Sequence, residues 1–105
     1  MADRSIPAST ALPELAAVRA RLDKVDLQLV QLLAARGQLI DEVIRTKRIH
    51  GVPVVDPLRE EAMLAQIEVA SDAEGLDPRV ARAVLRSVID AFTVTELEEL
   101  DGSSD

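Results

Sequence analysis

The feature that most constrains the fold is a long stretch without helix breakers, because residues 14 to 50 contain no proline and a single glycine, Gly37. Apolar side chains recur along this stretch at intervals of three and four residues, which places them on one face of a helix. This apolar seam consists of Leu15, Val18, Leu22, Val25, Leu29, Leu32, Leu39 and Val43. We therefore predict a helix from Leu12 or Pro13 to about His50, ~55–60 Å long.

The length of the apolar seam predicts a partner. A chain of 105 residues is too short to cover a helix of that length with its own remaining segments. A monomer of this size would bury only about two-thirds of its unfolded surface. The simplest partner is a second copy of the chain, wound around the first in an intertwined homodimer.

Two capping signals predict two further helices. Asp56 is followed directly by a proline, the pattern of an N-cap and a first helical residue, and we expect this second helix to run to about Glu74. Asp77 repeats the signal and begins a third helix that we expect to end at about Leu100. No alternation of apolar and polar residues indicates a β-strand.

The predicted fold class is therefore all-α, with three helices, one of them very long, that form an intertwined homodimer. We expect residues 1–11 to be a flexible tail, because they carry no apolar periodicity. Residues 12–100 form the predicted helical domain, and residues 101–105 the predicted polar tail.

The composition excludes several classes of partner. The formal net charge is −7 and the isoelectric point is about 4.6, whereas nucleic acids and anionic membranes bind basic surfaces. The chain has no cysteine, so neither a disulfide nor a thiolate metal site is available. Neither a signal peptide nor a run of ~18 apolar residues is visible. We expect a cytoplasmic protein that binds neither nucleic acid nor a membrane.

Arg36 interrupts the apolar seam at a position where another leucine would be expected. Burying a cation there costs several kcal/mol, comparable to the stability margin of a small domain, unless an anion meets it. A carboxylate of the protein or a bound ligand would each supply that anion.

Helix geometry limits which cations can join Arg36 around one ligand. Lys47 follows it by 11 residues, about three turns, so it points to the same side ~16 Å further along the axis. Arg19 precedes it by 17 residues, ~25 Å away and ~100° round the helix, which is too far for a shared pocket within one chain. In an antiparallel dimer, Arg19 of one subunit could enter the pocket that contains Arg36 of the other.

Further charged residues lie on or beside apolar faces of the shorter helices. Glu60 shares a face with apolar residues of the second helix and follows Arg59 in its first turn, and Glu96 lies one turn after Phe92 on the third. Together with the cations of the first helix, they predict a site that a compact dianion would complete. Taken alone, each of these charges except Arg36 is also compatible with a surface role, which for Glu96 is a solvated acidic face, and Arg36 is compatible with a structural pair with a buried glutamate.

In their spacing, these residues resemble a known family, the small all-helical chorismate mutases. The resemblance covers residues 12 to about 100 and rests on the pattern Leu-x-x-Val-Arg19-x-x-Leu-Asp-x-Val-Asp, Leu-Leu-x-x-Arg36, Lys47 and Val-Pro-Val-x-Asp56-x-x-Arg59-Glu60. In that family, three-helix chains interlock into a dimer with two equivalent active sites, and the first arginine crosses from the partner subunit.

The resemblance implies a role for each residue of the pattern. The two carboxylates of chorismate would be held by three arginines: Arg19, Arg36 and Arg59. Lys47 would reach the ether oxygen, and the Asp56 backbone with Glu60 would hold the ring hydroxyl. The implied reaction is an intramolecular (3,3) rearrangement to prephenate, which needs a restrained substrate and a cation at the ether oxygen rather than a nucleophile. No metal or organic cofactor is implied.

Two positions depart from the usual pattern of the family. Glu96 stands where many members carry glutamine, and Phe92 stands where many carry serine one turn earlier. A glutamate donates a hydrogen bond to the ether oxygen only when it is protonated, and Phe92 removes a hydroxyl contact and narrows the pocket. We assign Glu96 to the catalytic residues with Lys47 and Arg36, and Phe92 to the substrate-binding residues.

Three alternatives stay open. The 4-amino-4-deoxychorismate mutases and the isochorismate-pyruvate lyases share this fold and much of the cation set. Glu60 favours chorismate as the partner of a ring hydroxyl, although a carboxylate also pairs with an amine. The third alternative is a non-catalytic helical dimer whose charges form salt bridges between helices. The sequence does not indicate whether a partner enzyme activates the protein.

Overall fold

The computed structural model describes residues 12–103, with the side chains of residues 12–98. Every regular element in this range is a helix: α1 spans Pro13–His50, α2 spans Pro57–Ala73 and α3 spans Pro78–Ser103. The predicted all-α class with three helices, one of them very long, is confirmed. The predicted flexible tail at residues 1–11 lies outside the described residues. Within the described chain, no helix is both long enough and apolar enough to cross a membrane.

The length of α1 follows from its sequence. The helix has 38 residues, begins at Pro13 and continues through Gly37. Gly51 ends it in the left-handed conformation, with φ of 67°, and the N–H of Val52 donates to the Lys47 carbonyl oxygen at 2.9 Å. Glycine is favoured at such a C-terminus because a side chain would disfavour the positive φ.

The chain divides into two compact units, Met1–Gln38 and Leu39–Asp105. In the first unit, none of the described residues 12–38 is buried. The apolar seam is open here, with exposed fractions of 54% for Leu22 and 67% for Leu32. This part of α1 therefore has no apolar core of its own.

The second unit contains the apolar core. Among the described residues, the buried apolar ones are Ile44, Leu64, Ala81 and Ile89. They come from the end of α1, from α2 and from α3, and Leu64 is fully enclosed. Because burying a large aliphatic side chain contributes about 1.5–3 kcal/mol, Leu64 of α2 and Ile89 of α3 stabilise the packing of the two short helices.

The two short helices form an antiparallel hairpin, and they pack against each other. The Asp56 carboxylate caps α2 by accepting the N–H of Arg59 at 3.1 Å. The Asp77 carboxylate caps α3 by accepting the N–H of Arg79 at 2.9 Å. Gly75, with φ of 75°, turns the chain between them. Both predicted helix starts are confirmed.

Two helix ends differ from the prediction. α2 ends at Ala73, one residue early, and Glu74 is its C-cap. α3 continues to Ser103, three residues past Leu100 and into the segment predicted as a polar tail. Sequence signals define helix ends only to within one or two residues, and the glycine at position 102 costs α3 only about 1 kcal/mol, which does not stop it.

Candidate active site

Lys47 lies in the last turn of α1 and is half-buried. Its ammonium group donates a hydrogen bond to the Val54 carbonyl oxygen at 2.5 Å. This contact holds the segment between α1 and α2 against the helix and orients the lysine side chain. Since an ammonium group carries three N–H donors, a cation held in this way can also donate to a ligand.

A groove of about 560 Å³ opens beside Lys47, within the size range of small-molecule sites. It is lined by Leu39, Glu42, Val43, Thr46, Lys47, His50 and Val52. Its apolar wall consists of Leu39, Val43 and Val52, and Lys47 supplies a half-buried cation beside them. The groove therefore favours a ligand with an apolar body and an electron-rich atom near Lys47.

The first turn of α2 brings three predicted site residues together. The Asp56 carboxylate accepts the N–H of Arg59, and the Asp56 carbonyl oxygen accepts the N–H of Glu60 at 3.0 Å. Arg59 is exposed, whereas Glu60 is half-buried. The capped turn therefore fixes the backbone from which the three side chains project.

Arg86 of α3 pairs with Glu60. Its Nη1 atom lies 2.9 Å from Oε1 of Glu60 and 3.3 Å from Oδ1 of Asp90, one turn further along α3. The hydrogen bond to Glu60 raises the pKa of Arg86 above its already high ordinary value. The guanidinium therefore stays charged, and Glu60 has a permanent cationic neighbour.

A second cluster of ion pairs lies one turn earlier on α3. Arg82 donates through Nη2 to both carboxylate oxygens of Glu61, at 3.1 and 2.9 Å, and through Nη1 to Oε1 of Glu68 at 2.5 Å. The hydrogen bond from Arg82 lowers the pKa of Glu61. These contacts join α2 to α3, and the partners of Arg82 are not among the predicted site residues.

Glu96 and Phe92 lie on the inner face of α3. Glu96 is buried, with 8% exposed, and Phe92 is half-buried, whereas Glu98 is exposed. Glu96 also follows the buried Ile89 by two helical turns. The solvated acidic face that the sequence allowed for Glu96 is therefore excluded.

Arg19 and Arg36 both belong to the unit Met1–Gln38. Arg19 is exposed and Arg36 is half-buried, with its Nη1 atom shielded from solvent. Because α1 is continuous between them, their separation along the axis is ~25 Å. One chain does not bring the two together, so a site that uses both needs Arg19 from another copy.

The comparison with known families shows to which family this chain belongs. The model of chorismate mutase type II matches residues 18–97, a range that contains every predicted site residue. This chain belongs to the chorismate mutase type II family. The resemblance seen in the spacing of the charged residues is thereby confirmed.

Three relatives show how similar known proteins are to this chain and how much of each protein the similarity covers. A T-protein from Enterobacter agglomerans is 41% identical over 76 residues, which are 72% of this chain and 20% of the relative. A bifunctional chorismate mutase/prephenate dehydratase from the same organism is 33% identical over 82 residues, 78% of this chain and 21% of the relative. A chorismate mutase from Methanocaldococcus jannaschii is 25% identical over 79 residues, 75% of this chain and 80% of the relative. The chain thus spans about a fifth of the two Enterobacter proteins.

Arg86, the partner of Glu60, is a residue that the sequence analysis missed. The short connection between α2 and α3 did contain a signal, since residues at similar distances from the turn of a helical hairpin face each other. That rule pairs Glu68 with Arg82, each seven residues from Gly75, but it places Glu60 opposite Asp90. The structure instead pairs Glu60 with Arg86, one turn before Asp90.

Proposed function

We propose that this chain is a chorismate mutase, which rearranges chorismate to prephenate within the substrate itself. The observation that carries the proposal is the family match over residues 18–97, because this range includes all the spaced cations and carboxylates. A relative named chorismate mutase, matched over 80% of its length, adds support. Since the chain spans only about a fifth of the longer relatives, their other activities are not part of the proposal.

The reaction explains why the proposed site needs cations rather than a nucleophile. One C–O bond of the substrate breaks while one C–C bond forms in the same molecule, so no group is transferred to the protein. The protein has to hold the substrate in its compact pseudo-chair form, which removes an entropic barrier. It also has to stabilise the negative charge that develops on the ether oxygen, which a preorganised cation does most effectively.

Lys47 is the group that we assign to the ether oxygen. Its half-buried position and its hydrogen bond to Val54 support this role, because a cation that is already held in place needs no reorganisation during the reaction. The groove beside it has room for a small ligand. Glu96, which is buried, would be a second donor to the same oxygen in its protonated form.

The two carboxylates of the substrate are assigned to three arginines, Arg36 and Arg59 of one chain and Arg19 of its partner. A guanidinium binds a carboxylate through two parallel N–H donors, which fixes orientation as well as charge. The Asp56 backbone and Glu60 would hold the ring hydroxyl. Phe92, half-buried on α3, would line the pocket.

This assignment requires the intertwined homodimer. The open apolar seam supports it, since Leu22 and Leu32 remain 54% and 67% exposed in a single chain. The ~25 Å between Arg19 and Arg36 along one helix supports it as well. A second copy that packs its α1 along the seam would bury these residues and deliver its own Arg19. The cytoplasmic location stays a prediction of the sequence.

The test is an assay of the purified chain with chorismate. We expect the ultraviolet absorbance of chorismate to fall faster than in the uncatalysed control without protein, and the product to be prephenate. Isochorismate and 4-amino-4-deoxychorismate serve as competing substrates. A rate equal to the uncatalysed control would contradict the proposal, and release of pyruvate from isochorismate alone would replace it with the lyase.

A further inference from the structure

We propose that Arg86 is a positioning residue, which holds Glu60 in the orientation that binds the ring hydroxyl and offsets the charge of this carboxylate. The inference rests on the proposed function. It extends the site to α3 through a residue that the spacing pattern does not assign, and it concerns substrate recognition rather than the chemical step.

The geometry of the Arg86 contact leaves Glu60 able to bind a ligand. Arg86 reaches Oε1 of Glu60 through a single nitrogen, at 2.9 Å. Arg82, by contrast, contacts both oxygens of Glu61, at 3.1 and 2.9 Å. A carboxylate that is held through one oxygen is restrained in rotation and still presents its second oxygen as an acceptor. Arg86 therefore leaves one oxygen of Glu60 able to accept from a ligand, whereas Arg82 contacts both oxygens of Glu61.

Arg86 approaches Glu60 from the solvent side. The side chain of Asp90 is 62% exposed, that of Arg86 is 39% exposed and that of Glu60 is 19% exposed. Asp90, one turn further along α3, contacts the same Nη1 atom at 3.3 Å and so restrains the guanidinium. Exposure falls steadily along this row of three charges, so Glu60 is its innermost member, and the role that we propose for Arg86 is exerted through Glu60.

Charge gives the second reason for the pairing. A lone carboxylate beside a dianionic substrate repels it, and this repulsion is strongest where burial limits screening by water. The guanidinium of Arg86 offsets that charge, since an arginine stays protonated throughout the working pH range. Glu60 can then accept a hydrogen bond from the ring hydroxyl without weakening the binding of the two carboxylates.

The experiment compares Arg86→Ala, Arg86→Lys and the matched control Arg82→Ala by steady-state kinetics with chorismate. We expect Arg86→Ala to raise KM about tenfold with a smaller change in kcat, because ground-state recognition is lost. Arg86→Lys should give an intermediate KM, since it restores the charge but not the planar donor geometry. Arg82→Ala should leave KM within about twofold, and thermal unfolding of each variant reports any loss of the hairpin.

A double-mutant cycle separates positioning from a merely structural role. In a Glu60→Gln background, Arg86→Ala should change KM by only about twofold, because its target carboxylate is gone. The inference would be overturned if KM were unchanged in Arg86→Ala, or if Arg86→Ala raised KM equally with and without Glu60. The proposed function would still stand in either case, provided that the wild type is active on chorismate. A folded wild type without activity on chorismate would overturn both.

Discussion

The first half of α1 and the α2–α3 hairpin are both helical, but they differ in where their stability comes from. None of the residues 12–38 is buried, whereas the hairpin encloses Leu64 completely and buries Ala81 and Ile89. The hairpin also has ion pairs between its own helices. The difference teaches that a helix can be encoded locally by periodicity and the lack of proline, while the burial of its apolar face depends on another surface.

The same contrast divides the proposed site. Arg19 and Arg36 belong to the open part of α1, whereas Lys47, Glu60 and Glu96 belong to the unit that contains the core. We expect changes on the apolar seam to act through assembly, and a change at Arg19 to act on the site of the partner subunit. Changes in the other unit should act on the chemistry within one chain.

The largest expected effect comes from a charge on the apolar seam. Leu29 is 53% exposed in the single chain, and a change at an ordinary surface position costs within about 0.5 kcal/mol. If a second copy covers the seam, Leu29→Asp buries an unpaired charge instead. We expect loss of the dimer in sedimentation experiments and loss of chorismate turnover. Val69→Asp, at a position on α2 that is 75% exposed, is the matched control and should change neither. If Leu29→Asp and Val69→Asp had equally small effects on the dimer and on turnover, the apolar seam would behave as an ordinary exposed surface.

Lys47→Ala should act on the chemistry without affecting assembly. The cation interacts with charge that exists mainly in the transition state, so we expect kcat to fall at least ~100-fold, as for a lost oxyanion donor, while the dimer persists. Arg45, an exposed cation two residues earlier on α1, provides the control, and Arg45→Ala should stay within about twofold. A kcat close to that of the wild type would refute the role of Lys47.

Mixing two inactive variants tests whether the open region completes the site of its partner. Arg19→Ala and Arg36→Ala chains, mixed in equal amounts and reassembled, should restore about a quarter of the sites, because heterodimers form half of the population and each has one intact site. The control mixture combines Arg36→Ala with Lys47→Ala. Both residues come from the same chain in the proposed site, so this mixture should stay inactive. Activity in both mixtures, or in neither, contradicts the exchange of Arg19.

The smallest expected effect comes from Asp77, the N-cap of α3. The pKa of Asp77 is lowered because Arg79 donates side-chain and backbone hydrogen bonds to it. The folded state thus binds this proton less tightly than the unfolded state, so the stabilisation is present above about pH 4 and is lost as the pH falls through the lowered pKa.

Asp77→Asn should therefore lower Tm by about 2 °C at pH 7, since an amide still caps the helix but loses the charge. The difference from the wild type should be smaller at pH 3, because Asp77 begins to take up its proton as the pH falls toward its lowered pKa. Thermal unfolding at both pH values provides the measurement. A difference of the same size at pH 3 and pH 7 would show that the charge of Asp77 contributes nothing.

The helices were predictable because their signals are local. The prolines after Asp56 and Asp77, with the carboxylate caps, mark two helix starts, and Gly51 marks the end of α1. The separation of Arg19 from Arg36 was equally predictable, since it needs only the rise per residue of a continuous helix. The end of α3 was placed three residues early, because a single glycine is a weak stop signal.

The sequence by itself determined the three helices, their caps and the spacing of the charges along them, because hydrogen bonds within a helix join residues at most four positions apart. Only the tertiary structure decided that Glu96 is buried while Glu98 is exposed, and that Glu60 pairs with Arg86 rather than with Arg82. These outcomes depend on the rotation and offset of one helix against another. The packing of side chains from distant parts of the chain sets both, and no local pattern reports them.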